Sequence, residues 1–152
     1  MYIAVVGPGE SASEDDVVAA RAVGEMLARA GCVVLTGGLG GVMAAATDGA
    51  NQAGGLTVAL LPGTTRADCA ATVALPTGLG ELRNGLLVRA ADAVIAVGGS
   101  WGTLSEIALA RRTGVPVVVL GGWATPGGDL DRADDPAAAV EWALRSCGPQ
   151  AG

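Results

Sequence analysis

Lysine and histidine are both absent from this chain of 152 residues, and all nine of its basic residues are arginines. Pyridoxal phosphate enzymes need a lysine for their Schiff base, and a Walker-type P-loop needs one for its phosphates, so both classes are excluded. The absence of histidine also excludes catalysis by Ser-His-Asp or Cys-His groups. Proton transfer is therefore left to carboxylates, with arginine as the electrostatic partner.

Aromatic residues and cysteines are also scarce. Aromatic residues make up 3% of the chain, and the three cysteines, Cys32, Cys69 and Cys147, are widely spaced. Because no histidine is available to complete a ligand set, we expect reduced thiols and no metal site.

Charged residues make up only 16% of the chain, and the net charge is −6. This acidic balance argues against nonspecific binding to nucleic acid, which depends on a basic surface. No apolar run reaches the roughly 18 residues that cross a bilayer, and no basic segment precedes the first apolar one. We therefore expect a soluble cytoplasmic protein that binds neither nucleic acid nor membranes.

Small and aliphatic residues dominate what is present: the chain is 51% hydrophobic and contains 25 glycines. This composition suits buried parallel strands covered by helices of small residues. Strand-like and helix-like segments alternate along the chain, which predicts an α/β fold. We expect a single Rossmann-like doubly wound domain over residues 1–147, with a mostly parallel sheet of about six or seven strands flanked by helices, and a frayed tail over residues 148–152.

Hydrophobic periodicity and capping signals give the approximate bounds of these segments. Ser13 and Asp16 form a predicted capping box at the start of the first helix, and Asp135-Pro136 is typical of an N-cap and first turn. Residues 121–134 are predicted to form a loop. The predicted strands are 2–6, 32–35, 56–61, 71–75, 93–97 and 115–120, and the predicted helices are 13–30, 42–53, 81–91, 104–113 and 135–146.

The run Gly98-Gly99-Ser100-Trp101-Gly102-Thr103-Leu104-Ser105-Glu106 follows a predicted strand and leads into a helix. Glycines let the backbone approach an anion, and the N–H groups at a helix start then face it. We therefore predict phosphate contacts from Gly99, Ser100, Gly102 and Thr103. For Trp101 three roles are open: a lid over the site, a contact between subunits, or a surface on which a base stacks.

A second glycine loop, residues 36–41, ends another predicted strand at the same edge of the sheet. It predicts ligand contacts at Gly37, Gly38 and Gly41, although a tight strand-to-helix connection would explain it equally. Neither loop fits the dinucleotide fingerprint G-x-G-x-x-G. Met43, just beyond the loop, is by its residue type more typical of a core.

These motifs resemble the Lonely Guy family of nucleoside 5′-monophosphate phosphoribohydrolases and the related molybdenum cofactor carrier proteins. The family's P-G-G-x-G-T-x-x-E aligns with Gly98 to Glu106, with Gly98 in place of proline and Ser100 in place of the second glycine. Arg83 stands at the family's spacing before Glu106. The segment Gly41-Val42-Met43 resembles the end of the family's G-G-x-x-G-x-M, which makes Met43 a candidate ligand contact. Carrier-type and uncharacterised short members more often show the form G-G-G-x-G-T, which Gly98 resembles, and the pair Arg83-Asn84 also resembles that branch.

The resemblance implies cleavage of the N-glycosidic bond of a nucleoside monophosphate, yielding a free base and ribose 5-phosphate, with no cofactor. In that role Arg83 would steer the nucleotide and Glu106 would position water or a ribose hydroxyl beside the developing positive charge. The resemblance also implies a homodimer or homotetramer, for which the helix over residues 42–53 is a candidate contact. A lysine decarboxylase is excluded, because no lysine can hold pyridoxal phosphate.

Hydrolysis is the leading expectation, and two alternatives stay open: a carrier of a phosphorylated ligand such as the molybdenum cofactor, and a nucleotide sensor without turnover. The two candidate catalytic residues also have structural explanations. Thr103-x-x-Glu106 is itself a capping-box pattern, and an isolated arginine such as Arg83 is by default a solvated residue.

Overall fold

The computed structural model places seven strands in one sheet, in which every neighbouring pair is parallel. It describes residues 1–66, 68–125 and 129–148. The strands are β1 (Tyr2–Val6), β2 (Val33–Thr36), β3 (Thr57–Leu61), β4 (Val73–Pro76), β5 (Ala93–Val97), β6 (Val117–Leu120) and β7 (Asp131–Ala133). The helices are α1 (Glu14–Arg29), α2 (Val42–Gln52), α3 (Arg83–Ala90), α4 (Trp101–Thr113) and α5 (Pro136–Ser146).

The strand order is β4-β3-β2-β1-β5-β6-β7, so the order reverses between β1 and β5 at the centre of the sheet. This is a doubly wound arrangement, and the Rossmann-like α/β fold expected from the sequence is confirmed. The two central strands come close where they end: a Cβ added at Gly7 would lie 2.4 Å from the carbonyl oxygen of Val97. The carboxyl ends of β1, β2 and β5 therefore form one edge, where doubly wound folds bind ligands.

Alternation along the strands builds a core on each face of the sheet. In β1, Ile3 and Val5 face the layer of α1, α2 and α5, whereas Ala4 and Val6 face the layer of α3 and α4. All four side chains are fully buried. Continuous apolar strands of this kind are needed because both faces of a parallel sheet are covered.

Two predicted helix starts are confirmed by their caps. The Ser13 hydroxyl accepts from the Asp16 N–H at 3.1 Å, and the Asp16 carboxylate accepts from the Ser13 N–H at 3.1 Å. At the last helix, the Asp135 carboxylate accepts from the Ala138 N–H at 2.8 Å, with Pro136 in the first helical position. Each cap satisfies N–H groups that the helix itself leaves without an acceptor.

Some predicted boundaries were wrong. The predicted loop over residues 121–134 contains β7, a short edge strand whose sequence Asp-Arg-Ala carries no apolar alternation. The helix predicted from residue 104 begins at Trp101, and the helix predicted from residue 81 begins as a 3-10 turn, Gly80–Leu82, before α3. Residues 126–128 of the predicted loop and 149–152 of the predicted tail lie outside the described residues.

The small residues of helix α2 allow it to pack closely against another helix of the same chain. A Cβ added at Gly24 of α1 would lie 2.0 Å from the carbonyl oxygen of Ala46, and one added at Gly49 of α2 would lie 2.0 Å from that of Arg21. The apolar side of this helix, suggested from the sequence as a subunit contact, is thus buried against α1. None of the described helices has the length and apolarity that crossing a bilayer requires.

The close crossing of α1 and α2 predicts a penalty for Gly24→Ala. Alanine favours a helix by about 1 kcal/mol over glycine, but the added methyl meets backbone that must move, which we expect to cost about 2 to 4 kcal/mol. Gly102→Ala in α4 is the control, since its added Cβ would lie 3.8 Å from the nearest atom. Urea unfolding should show a lower free energy of unfolding than wild type for Gly24→Ala and not for Gly102→Ala. Equal free energies of unfolding for the two variants would contradict the close crossing of α1 and α2.

Candidate functional site at the carboxyl edge of the sheet

Helix α4 begins directly above the end of β5, and Ser100 is its N-cap. The Ser100 hydroxyl accepts from the Thr103 N–H at 3.2 Å and lies 2.9 Å from the Thr103 hydroxyl. Within the described residues, the N–H groups of Gly99, Ser100, Trp101 and Gly102 have no acceptor. Such a row of N–H groups at the positive end of a helix dipole is suited to an anion.

This geometry shows that the capping-box explanation of Glu106 was wrong. Thr103 lies inside the helix as its third residue, and Ser100 performs the capping. Glu106 is therefore in the second turn, where it has no N-terminal group to cap. Its side chain points to the interior, with 6% of the residue exposed.

The backbone at Gly98 sets this loop apart from the proline-containing form of the motif. Gly98 has φ of +72°, whereas the ring of proline fixes φ near −65°. A Cβ at this position would also lie 2.7 Å from the carboxyl carbon of Asp16 in α1. Proline does not fit this loop without a change of backbone, and any other side chain would be strained at this φ and would displace the carboxylate of Asp16. The departure from the family's pattern is therefore a difference of loop conformation.

Arg83 is buried at the start of α3, with 6% of the residue exposed, so the alternative explanation of a solvated arginine was wrong. Its Nη2 donates to the carbonyl oxygen of Gly37 at 3.2 Å, its Nη1 donates to the side chain of Asn84, and Nη1 lies 3.8 Å from Glu106 Oε1. Among the described residues, its buried Nε has no acceptor. Buried donors are nearly always paired, so this one is available to a bound group.

Gly37 is what lets the arginine reach the edge of the sheet. A Cβ at this position would lie 2.6 Å from Nη2 of Arg83 and 2.8 Å from its Cζ. The absent side chain thus leaves the space that the guanidinium fills. The structure brings together Gly37, Arg83 and Glu106, which the sequence placed on three separate segments.

Burial dominates the electrostatics of this ion pair. Desolvation raises the pKa of Glu106 from its ordinary 4.5 to about 7, although the charge of Arg83 pulls it down. Desolvation also lowers the pKa of Arg83 from its ordinary value, against the effect of Glu106. The loss of hydration thus outweighs the mutual attraction. Near neutral pH, Glu106 can either hold or release a proton, while the arginine stays charged.

The second glycine loop is held in place by the hydroxyl of Thr36 and by the close approach of Gly41 to another backbone segment. The Thr36 hydroxyl accepts from the Gly38 N–H at 3.2 Å and lies 3.4 Å from the buried Thr47 hydroxyl. A Cβ at Gly41 would lie 2.1 Å from the carbonyl oxygen of Gly9. The two threonines were not singled out from the sequence, because threonine at a strand end or in a helix is common and gives no distinct signal.

Met43 lies in the interior of the protein, the location that its residue type indicated. It is buried, and its methyl group would lie 3.7 Å from a Cβ added at Gly9. Beside it, an open cleft of about 510 Å³ extends from the glycine loop toward the end of β3. Its lining includes Gly38, Leu39, Gly40, Ala44, Leu61 and Pro62. Gly38 is the predicted site residue that the cleft contains.

Trp101 forms an aromatic pair with Trp123, which follows β6 in the chain. Trp101 is 78% exposed, and the two rings meet edge to face with centroids 5.1 Å apart. A Cβ at Gly99 would lie 2.7 Å from Cδ1 of Trp123, so that ring covers the glycine. The two tryptophans thus form an aromatic wall beside the start of α4.

The raised pKa of Glu106 predicts a stability that depends on pH. A carboxyl with a higher pKa in the folded chain stabilises the fold at low pH, and that contribution is lost as the pH rises from about 4.5 to about 7. We expect the wild type to lose about 2 to 3 kcal/mol relative to Glu106→Gln across this window. Urea unfolding of both proteins from about pH 4 to pH 8 measures the difference; a constant or opposite trend would contradict the burial of this carboxyl.

Comparison with known proteins places this architecture in a family. A model of the SLOG cluster4 family matches residues 1–140. The molybdenum cofactor binding protein of Rippkaea orientalis is 36% identical, with a TM-score of 0.88 over 95% of each chain. The molybdenum cofactor carrier protein of Chlamydomonas reinhardtii is 33% identical, with a TM-score of 0.86 over 97% of this chain and 98% of that one.

A further relative, an uncharacterized protein of Archaeoglobus fulgidus, is 45% identical over 123 residues, which are 79% of this chain and 80% of that protein. The resemblance to Lonely Guy and molybdenum cofactor carrier proteins expected from the motifs is confirmed by the family and the structural relatives. The chain belongs to the SLOG cluster4 family.

Proposed function

We propose that this protein binds a small phosphorylated molecule at the carboxyl edge of β1, β2 and β5 and carries it without hydrolysing it. The observation that carries this proposal is the buried Nε of Arg83, which has no acceptor among the described residues. A buried charged donor without an acceptor is costly, and an anionic ligand would remove that cost. The N–H groups at the start of α4 supply further donors at the same edge.

The division of work among these groups follows from their chemistry. Backbone N–H groups of Gly99 to Gly102 would hold the phosphate oxygens, with the helix dipole favouring the charge. Arg83 would supply positive charge for the phosphate at this edge, in a protein whose net charge is −6. The cleft beside Gly38 would take the remainder of the ligand, since cofactor sites are concave and mostly preformed.

The molybdenum cofactor is our first candidate for the ligand, because relatives that match nearly the whole chain are described as binding or carrying it. The pterin of this cofactor bears a phosphate, as the proposed site requires. The left-handed backbone at Gly98 also favours a carrier, since the hydrolase form of the motif has a proline there. The carrier therefore becomes the first candidate, whereas the sequence alone favoured the hydrolase.

Hydrolysis of a nucleoside 5′-monophosphate is the second candidate, and the environment of Glu106 favours it. A carboxyl with a pKa of about 7 can donate or accept a proton at neutral pH, as glycosidic bond cleavage requires. Incubation of wild type with AMP or GMP should release no free base if the protein is a carrier. Base release that is abolished by Glu106→Gln, with nucleotide binding retained, would replace our proposal with the hydrolase.

Calorimetric titration with a pterin phosphate tests the proposed contact of Arg83. Loss of a charge-assisted hydrogen bond costs about 1.5 to 3 kcal/mol, so Arg83→Met should weaken binding about 10- to 100-fold. Arg112→Met is the matched control, since this arginine is exposed near the end of α4, and its affinity should equal that of wild type. Equal affinities for all three proteins would overturn the role given to Arg83.

A further inference from the structure

Glu106 carries a buried carboxylate that the chain itself stabilises only weakly as an anion. The carboxylate lies 3.8 Å from Nη1 of Arg83, and both side chains are almost fully buried. No hydrogen bond from the described residues reaches it, since Arg83 donates to Gly37 and to Asn84 instead. Buried polar groups are normally hydrogen-bonded, and such bonds are what favour the charged form of a carboxyl. The negative charge of Glu106 therefore depends on the attraction of one guanidinium.

Among the described residues, Arg83 is the one charged group that shifts the pKa of Glu106. Helix α4 packs against α3, β5 and β6, and both of these strands consist of apolar residues. Asp16 of α1 lies against the loop that precedes α4. The other charged residues of α4, of α3 and of the turn before α3 are exposed: Glu81, Arg89, Arg111 and Arg112.

A phosphate bound at this edge of the sheet would compete with Glu106 for the guanidinium. The donors available to it are the buried Nε of Arg83 and the N–H groups of Gly99 to Gly102. Above pH 7 a phosphate monoester carries nearly two negative charges, because its second pKa is about 6. These charges would share Arg83 with the carboxylate and repel it in a buried environment, where such forces are strong. Protonation of Glu106 removes this repulsion.

We propose that the site takes up its phosphorylated ligand together with one proton, and that Glu106 receives this proton. The proton comes from the solvent, and no bond of the ligand breaks. Neutral Glu106 leaves the whole charge of Arg83 to the phosphate, so Glu106 acts on the ligand through the arginine. This proton uptake rests on the proposed function, because it needs a phosphate beside Arg83.

The expected effect of pH follows from the state of Glu106 before binding. With a pKa of about 7, the free protein has lost this proton at pH 8 and must take it up to bind. Each further pH unit then costs nearly tenfold in affinity, so the dissociation constant of wild type should rise about 10- to 30-fold from pH 7.5 to pH 9. A phosphate monoester is fully ionised throughout this range and adds no pH dependence of its own.

Calorimetric titration with a pterin phosphate at pH 8 counts the proton. Tris and HEPES differ in their heat of ionisation, so the difference between the binding heats in the two buffers gives the protons taken up per ligand. We expect about one proton for wild type and none for Glu106→Gln, whose amide does not titrate. Glu141→Gln is the matched control, since this glutamate is exposed on α5, and it should give the wild-type count.

The same titrations at pH 7.5 and pH 9 should show a dissociation constant for Glu106→Gln that does not change with pH. Wild type that binds without taking up a proton would overturn the proton coupling and leave the proposed function standing. A wild-type proton count in Glu106→Gln would also overturn it, because another group would then receive the proton. No binding of the pterin phosphate at any pH would overturn the proposed function itself. The two wild-type measurements decide the question even if Glu106→Gln does not fold.

Discussion

A guanidinium buried beside a carboxylate constrains the whole carboxyl edge of the sheet. Arg83 lies 3.8 Å from Glu106 and donates to Gly37, and all three belong to different segments. Taking two charges out of water costs more than their attraction returns, so the pair persists only because the surrounding fold holds it. Two helix starts and one glycine loop are thereby fixed relative to one another.

The sheet order makes this arrangement possible. Reversal between β1 and β5 opens a crevice, and short side chains let the segments around it approach closely. Gly7 admits the carbonyl of Val97, and Gly41 admits that of Gly9. The high glycine content is thus used where backbone must meet backbone, both at this edge and where α1 crosses α2.

Local signals predicted the fold well because they act over short distances. Apolar runs identified β1 and β5, and the hydroxyl and carboxylate of Ser13 and Asp16 identified a helix start that the structure reproduces. The juxtaposition of Arg83 and Glu106 was expected from a family pattern; a helical arginine taken by itself is typical of a solvent-exposed side chain.

What the sequence did not predict depends on tertiary contacts. Three charged or small residues in β7 carry no strand pattern, and their strand exists because the edge of β6 pairs with them. Ser100 and Thr103 are both good caps, and only the path of the chain from β5 decides between them. The contact between Trp101 and Trp123 joins the first residue of α4 to the segment after β6, and the chain offers no short-range signal for it.

The account depends most on the claim that a phosphate is what this edge of the sheet recognises. Calorimetric titration of wild type with a pterin phosphate and with the same pterin lacking its phosphate compares the two ligands at one site. We expect the phosphorylated ligand to bind at least about tenfold tighter, since each charge-assisted hydrogen bond is worth about 1.5 to 3 kcal/mol. Equal affinities for the two ligands would contradict the account.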